Sequence, residues 1–237
     1  MSEQIADADL IGVFADALDA ATCAAIVERF EASGQAVPGR VGGGLHPELK
    51  RSSDIRISGR PGWSDVEQQL DQAMLRALLG YVRRWPYTLI APVMRQRAGA
   101  DGRHRPLAGD DVAAMDDAEL GRLLMAAFRP GLISLQRYRA GEGGYPYWHC
   151  GLFPRDPHAE TLHRHLLWTL YLNDGFGGGE TEFFHQRRKV VPRTGQLLLA
   201  PAAFTHTHRG NRPQRADQYL ATGWVLFQSA ARLYGGG

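Results

Sequence analysis

Residues 165–173 read HLLWTLYLN, and the turn-forming segment DGFGGG follows directly at 174–179. The first of these has the length and the aromatic and aliphatic content of a buried strand, and the second ends it. Six other segments after Gly131 have strand length or composition: Leu132–Arg139, Trp148–Phe153, Glu180–His185, Lys189–Val191, Gln196–Leu199 and Gln218–Gln228. Because no helix alternates with these short strands, the pattern predicts an antiparallel sandwich or barrel, not a parallel sheet.

The first half of the chain is predicted to be mostly helical. Asp19 is a suitable cap for a helix that ends at Ser33-Gly34, and Ser52–Ile57 is predicted to be a short strand. A second helix is predicted from Ser64, where Ser64 and Glu67 have capping-box spacing, to Trp85-Pro86. It has one apolar stripe: Val66, Leu70, Met74, Leu78 and Val82. A third helix is predicted between Asp116-Asp117 and Arg129-Pro130.

Composition excludes several classes of function. A net charge of +2 gives no support to a nucleic-acid or membrane-surface role. Two cysteines are too few for a disulfide framework. The sequence shows neither a membrane-spanning apolar segment nor the basic flank of a signal peptide. We therefore expect a cytoplasmic protein that binds no nucleic acid and no membrane.

The segment from Met94 to Asp111 is polar and rich in cationic side chains. Its arginines are Arg95, Arg97, Arg103 and Arg105. One interpretation is a lid that recognises an anionic substrate, since long loops in compact domains often carry function. The other is a solvated surface loop, and the sequence alone favours this second interpretation.

A run of motifs from Leu132 to Phe227 resembles the prolyl-4-hydroxylase-like branch of the Fe(II)/2-oxoglutarate-dependent oxygenases. The matching runs, in order, are Gln136-Arg137-Tyr138, Tyr147-Trp148-His149, Arg164 with Tyr171-Leu172-Asn173-Asp174, Gly178-Gly179-Glu180-Thr181-Glu182-Phe183, Pro192–Leu199, Thr207-His208-Arg209-Gly210, and Tyr219 with Trp224. The resemblance implies a mainly β fold with α support, a double-stranded β-helix (jelly roll) buttressed by N-terminal helices. We expect a single domain over 1–237, with helical support and the lid loop in 1–130 and the catalytic core in 131–228.

The resemblance also implies the residues of an iron site. His149 and His208 match the two histidine ligands, and Tyr171 matches a tyrosine that binds the distal carboxylate of 2-oxoglutarate. The remaining cosubstrate positions are Tyr138, Gln218, Thr169 and Thr222, and strand alternation puts Leu167, Leu220 and Trp224 on the same inward faces. We expect His206, Arg164 and Trp224 to surround the ligands.

Two positions depart from the family pattern. Gly151 stands where the family has Asp or Glu as the third iron ligand. Neither Cys150, which is expected to point away from His149, nor Asp156 is well placed to replace it. Gln218 stands where a Lys or Arg normally pairs with 2-oxoglutarate, and a neutral amide gives up the charge-assisted hydrogen bond.

These departures leave three hypotheses. Relatives that halogenate aliphatic carbon have Gly or Ala at the position of Gly151 and bind halide to iron there, which predicts a radical halogenase. The alternatives are a hydroxylase with an atypical two-histidine iron site, and a catalytically degenerate binding protein. The expected cofactors are Fe(II), 2-oxoglutarate and O2, with chloride in the halogenase case. The expected substrate is a small or amino-acid-like molecule.

Overall fold

The computed structural model describes residues 9–99, 102–154 and 159–235. The helices are α1 Ala20–Ser33, α2 Ser64–Arg84, α3 Tyr87–Val93, α4 Gly109–Ala114, α5 Asp117–Ala127 and α6 Ala230–Tyr234. The strands are β1 Gly12–Phe14, β2 Val37–Pro38, β3 Ser53–Arg56, β4 Gln96–Ala98, β5 His104–Pro106, β6 Phe128–Pro130, β7 Ser134–Tyr138, β8 Tyr145–His149, β9 Arg164–Tyr171, β10 Thr181–Phe183, β11 Arg188–Val190, β12 Leu197–Pro201, β13 His208–Gly210 and β14 Gln218–Phe227.

Among the described strands there are two large antiparallel sheets and the two-stranded hairpin β4-β5. The larger sheet runs β1-β12-β9-β14-β7-β3-β2, with β6 also paired to β14. The smaller sheet runs β11-β10-β13-β8. The described strands do not close into a barrel. The predicted fold class is confirmed: a mainly antiparallel β structure with helices, consistent with a double-stranded β-helix.

Strand alternation in β12 divides the apolar core into two layers. Leu197 and Leu199 belong to the cluster that includes the helices, while Leu198 and Ala200 pack with Phe183 and Val190 of the smaller sheet. This is the two-residue period of a strand buried on both faces. The helices therefore cover one face of the larger sheet, and the other face meets the smaller sheet.

The predicted helices are present, but the structure differs from the prediction in one helix cap and in one additional short helix. Asp19 caps α1 by accepting from the amide of Thr22, and Gly34 ends it in the left-handed region with φ of 62°. The apolar stripe of α2 is buried as predicted. The capping box is wrong, because Trp63 occupies the N-cap position and the Glu67 carboxylate accepts from the amide of Gly59 instead. The short helix α3 after Trp85-Pro86 was not predicted.

Asp71 on α2 carries a pH-dependent cost to stability. One of its carboxylate oxygens is buried without a hydrogen-bond partner among the described residues. Burial, with a smaller contribution from the charge of Glu67, raises the pKa of Asp71 from 3.8 to about 6. The folded protein thus binds this proton more tightly than the unfolded chain, so stability falls as pH rises through the range between these two values.

Replacing Asp71 with asparagine is expected to stabilise the protein only where the carboxyl is ionised. Near pH 8 we expect a gain of about 1 kcal/mol in the free energy of unfolding, after discounting for partial exposure, and near pH 4 no gain. Chemical denaturation at both pH values measures this, with Glu28→Gln on an exposed position of α1 as the control. An equal gain at both pH values would contradict the assignment.

Candidate metal centre and cosubstrate cavity

Two histidines distant in sequence face each other across the smaller sheet. The antiparallel pairing of β13 with β8 puts His208 directly opposite His149. Residues paired in this way have side chains on the same face of the sheet. Their ring centroids lie 4.4 Å apart, and both side chains line a cavity of about 600 Å³ between the two sheets.

Backbone hydrogen bonds fix the orientation of both imidazoles. Nδ1 of His149 lies 2.8 Å from the carbonyl oxygen of Tyr147, and Nδ1 of His208 lies 2.9 Å from that of His206. A carbonyl only accepts, so each Nδ1 carries the proton and each Nε2 keeps its lone pair. Metal-binding histidines are commonly held in this way.

Both imidazoles are neutral in the folded protein. Burial lowers the pKa of His149 to about 3, with smaller contributions from the charges of His208 and Lys50. Burial also lowers the pKa of His208 to about 4. Tyr145 stacks on His149 with ring centroids 3.7 Å apart and planes within 13°. A cation bound by the two Nε2 atoms would therefore displace no proton from either ring, and the residues present fit a divalent metal ion.

Within the described residues, no third His, Cys, Asp or Glu joins this pair. Asp156 lies outside the described residues. The prediction that Cys150 points away from His149 assumed a strand continuing to Phe153, but β8 ends at His149 and Cys150 contributes to the cavity wall. Its thiol contacts the carbonyl of Leu152. The described residues thus offer two candidate metal ligands, His149 and His208.

The space beside Gly151 is filled by protein. A Cβ at this position would overlap Cζ3 of Trp224, and would lie 2.9 Å from its Cη2 and 3.1 Å from Cβ of Ala202. The backbone of Gly151 is also held, since its amide donates to Ala202 and its carbonyl accepts from Arg164 at 3.1 Å. Arg164 in turn lies 4.1 Å above the Trp224 ring. Glycine is therefore the residue that accommodates the indole, and the position is not an open vacancy.

Most of the predicted cosubstrate residues line the same cavity. These are Tyr138, Thr169, Gln218 and Thr222, together with Leu167, Leu220 and Trp224. Tyr171 is the exception: it is fully buried, and its hydroxyl lies 2.7 Å from that of Thr181, which does line the cavity. The alternation of β9 and β14 turns their members of this set toward the cavity, as predicted. Tyr171 reaches the cavity through its hydrogen bond with Thr181.

Gln218 is already engaged by the glycine turn before β10. Its amide donates to the carbonyl of Gly179 at 2.9 Å. Gly179 has φ of 70°, and a Cβ there would lie 2.9 Å from the Gln218 side-chain oxygen. Glycine is needed both for this backbone conformation and for the close approach of the amide. This end of the cavity is polar but carries no charge from residue 218.

His206 packs beside the centre but does not face it. Its Nε2 lies 2.8 Å from the carbonyl of Asp9 and its Nδ1 3.1 Å from the hydroxyl of Thr205. Both ring nitrogens are thus used elsewhere. Its contribution to the site is its own backbone carbonyl, which orients His208.

The arginine-rich segment does not form a lid over this cavity. Its ends pair as the hairpin β4-β5, and both Arg97 and Arg105 contact the carboxylate of Asp111. Arg95 donates to the carbonyl of Ala126. None of the four predicted lid arginines, including Arg103, is among the described cavity residues. The lid interpretation gave these guanidinium groups to a substrate, whereas two of them contact the carboxylate of Asp111.

The cavity wall carries cations that sequence reasoning missed. Arg40, Lys50 and Arg164 all line it, and the described wall includes no Asp or Glu. Of the three, only Arg164 was predicted. Arg40 and Lys50 lie in an irregular segment before β3, where no periodicity indicates which side chains face inward.

A jelly roll whose cavity holds two neutral, oriented histidines is an arrangement that non-haem metal oxygenases use. Residues 133–226 match the family model of the 2OG-Fe(II) oxygenase superfamily. The match spans 94 of the 237 residues and supports an oxidoreductase of the dioxygenase type. No curated protein sequence matches the chain. Among the described helices, none is long and apolar enough to cross a membrane.

Solved structures of prolyl hydroxylases have a similar fold. A Pseudomonas putida prolyl-4-hydroxylase is 18% identical with a TM-score of 0.60, and covers 94% of this chain and 96% of its own. The Trichoplax adhaerens prolyl hydroxylase, solved with a hypoxia inducible factor peptide fragment, is 13% identical with a TM-score of 0.61, covering 99% and 90%. Viral collagen prolyl hydroxylase from Paramecium Bursaria Chlorella virus-1 is 14% identical with a TM-score of 0.58, covering 92% and 97%. At these identities the likeness concerns the fold alone.

Proposed function

We propose that this protein is a 2-oxoglutarate-dependent hydroxylase of an aliphatic C–H bond, with ferrous iron held by His149 and His208. The observation that supports this most is the pair of neutral imidazoles, each with Nδ1 anchored to a backbone carbonyl and each lining a shared cavity. Bound ferrous iron would supply the activation of O2 that is coupled to decarboxylation of 2-oxoglutarate. Overall, O2 and 2-oxoglutarate would convert R–H to R–OH with release of succinate and CO2.

The chain's own residues orient the metal-binding histidines, bind 2-oxoglutarate and exclude water. Tyr145 covers one face of His149, so that the ligand cannot rotate away from its partner. Thr169, Thr181 and Gln218 present hydroxyl and amide groups to the inner end of the cavity, where the polar ends of 2-oxoglutarate would bind. Trp224 and Leu220 supply apolar wall, which keeps bulk water from the reacting groups.

We favour hydroxylation over halogenation because of the space around Gly151. A halide bound to iron needs the volume that a carboxylate side chain would otherwise occupy, and the Trp224 ring already stands at the Cβ position. Neither the family match nor the structural neighbours support a halogenase, and chloride has no support as a cofactor. The prolyl hydroxylase neighbours make an amino-acid-like substrate the first class to test.

The test is succinate formation by the purified chain supplied with Fe(II), 2-oxoglutarate and O2, with and without chloride and bromide. We expect succinate release that depends on iron and is indifferent to either halide, and a hydroxylated product when N-acetylated amino acids are screened. Halide-dependent succinate release, or a halogenated product, would contradict the proposal. His185→Ala, at an exposed histidine outside the cavity wall, is the matched control for variants of His149 and His208.

A further inference from the structure

Lys50 places an almost fully buried ammonium in the wall of the cavity. Its side chain is 5% exposed, and Nζ lies 2.7 Å from the Asp54 carboxylate. An ammonium group has three N–H donors. Asp54 takes one of them, and no other acceptor for Nζ is found among the described residues. A buried cation with unused donors on a cavity wall requires acceptors from whatever fills the cavity.

Other protein groups hold Asp54, the partner of Lys50, in place. Its carboxylate also accepts from the hydroxyl of Ser52 at 2.7 Å and from the amide of Gln136 at 3.4 Å. β3 pairs Asp54 with Gln136 of β7, so the larger sheet sets its position. Asp54 therefore fixes the position of the Lys50 ammonium and leaves the other two N–H groups of Lys50 free to bind another acceptor.

Lys50 lies close to Tyr145, the residue that stacks on His149. Nζ lies 5.8 Å from the centroid of the Tyr145 ring, and that ring stacks on His149. Lys50 and Arg164 both line the cavity, whose described wall has no acidic side chain. The field inside therefore favours an anion, and a compact ammonium with free N–H groups suits a carboxylate.

We infer that Lys50 binds a carboxylate group of a ligand in this cavity, either the distal carboxylate of 2-oxoglutarate or a carboxylate on the substrate. The inference rests on the proposed function for the identity of the cosubstrate. It assigns the charge missing at Gln218 to Lys50, which precedes β3 and bonds to Asp54 in the same sheet. If the bound carboxylate belongs to the substrate, the substrate is a carboxylic acid.

Two calorimetric titrations decide whether the carboxylate belongs to 2-oxoglutarate or to the substrate. In the first, 2-oxoglutarate is titrated into the Mn(II)-loaded chain. In the second, N-acetyl amino acids and their carboxamides are titrated into the chain saturated with Mn(II) and 2-oxoglutarate. For wild type we expect 2-oxoglutarate to bind, and at least one N-acetyl amino acid to bind about tenfold more tightly than its carboxamide if the carboxylate belongs to the substrate.

The variants give effects of opposite sign. Lys50→Met is expected to weaken 2-oxoglutarate about tenfold in the first titration, or to abolish the carboxylate preference in the second. Asp54→Asn removes the competing carboxylate, so it is expected to tighten the same ligand. Arg51→Met is the control, because Arg51 is exposed and contacts Glu142 at 3.8 Å. A purely structural role of the pair would give losses for both variants.

Unchanged affinities for Lys50→Met in both titrations would overturn the inference. If that variant fails to fold, Lys50→Met with Asp54→Asn leaves no buried charge unpaired and must show the same loss relative to Asp54→Asn alone. If wild type binds no Mn(II), the proposed function fails. The second titration on metal-free protein then still decides whether Lys50 selects carboxylates, and no preference there overturns the inference as well.

Discussion

Replacing His208 with asparagine is expected to abolish metal binding and to reduce 2-oxoglutarate turnover at least a hundredfold. The asparagine amide can still donate to the carbonyl of His206, so local structure is kept, but the Nε2 lone pair is lost. With only two protein ligands among the described residues, removing one leaves His149 alone, and a single imidazole holds a metal weakly.

Calorimetric titration of Mn(II) into wild type, His208→Asn and the exposed-site control His185→Ala measures this. Wild type and the control are expected to bind alike, and His208→Asn not to bind detectably. Circular dichroism shows whether the variant remains folded. Normal metal affinity in a folded His208→Asn protein would show that the metal lies elsewhere.

The second large effect concerns Gly151 and Trp224 as a pair. Gly151→Asp alone is expected to lower the free energy of unfolding by about 1–3 kcal/mol, because its Cβ overlaps the indole. It is not expected to tighten metal binding. Gly151→Asp combined with Trp224→Ala frees the space for a carboxylate ligand, and we expect metal affinity to rise about tenfold or more over Trp224→Ala alone, equivalent to about 1.4 kcal/mol.

The single and double variants together distinguish a filled position from a vacancy. If Gly151→Asp alone tightened metal binding as much as the double variant, the indole would not be the obstacle. That result would return Gly151 to the status of an open coordination site. Trp224→Ala alone controls for lost packing against Arg164.

The sequence predicted the elements whose patterns are local. The strands and the stripe of α2 have clear periodicity. The family resemblance indicated His149 and His208, and the pairing of β8 with β13 brings them together. The errors came from contacts that no local pattern encodes. The Glu67 carboxylate accepts from the amide of Gly59 instead of forming a capping box. Asp111 contacts Arg97 and Arg105 of the segment for which a lid was the less favoured interpretation.

The interpretation of Gly151 shows this limit most clearly. A missing carboxylate is visible in one position of the sequence, but the residue that fills its space lies far along the chain on β14. Lys50 is the converse case, because its irregular segment gives no signal that its ammonium is buried in the cavity wall. Distance in sequence hid the contact of Trp224 with Gly151, and irregular backbone hid the burial of Lys50.

The most direct test of the two-histidine centre is an anaerobic titration of Fe(II) into the chain with 2-oxoglutarate present, with and without chloride. We expect a single iron bound per chain, an affinity that 2-oxoglutarate increases, and no change on adding chloride. Absence of iron binding, or binding that requires chloride, would contradict it.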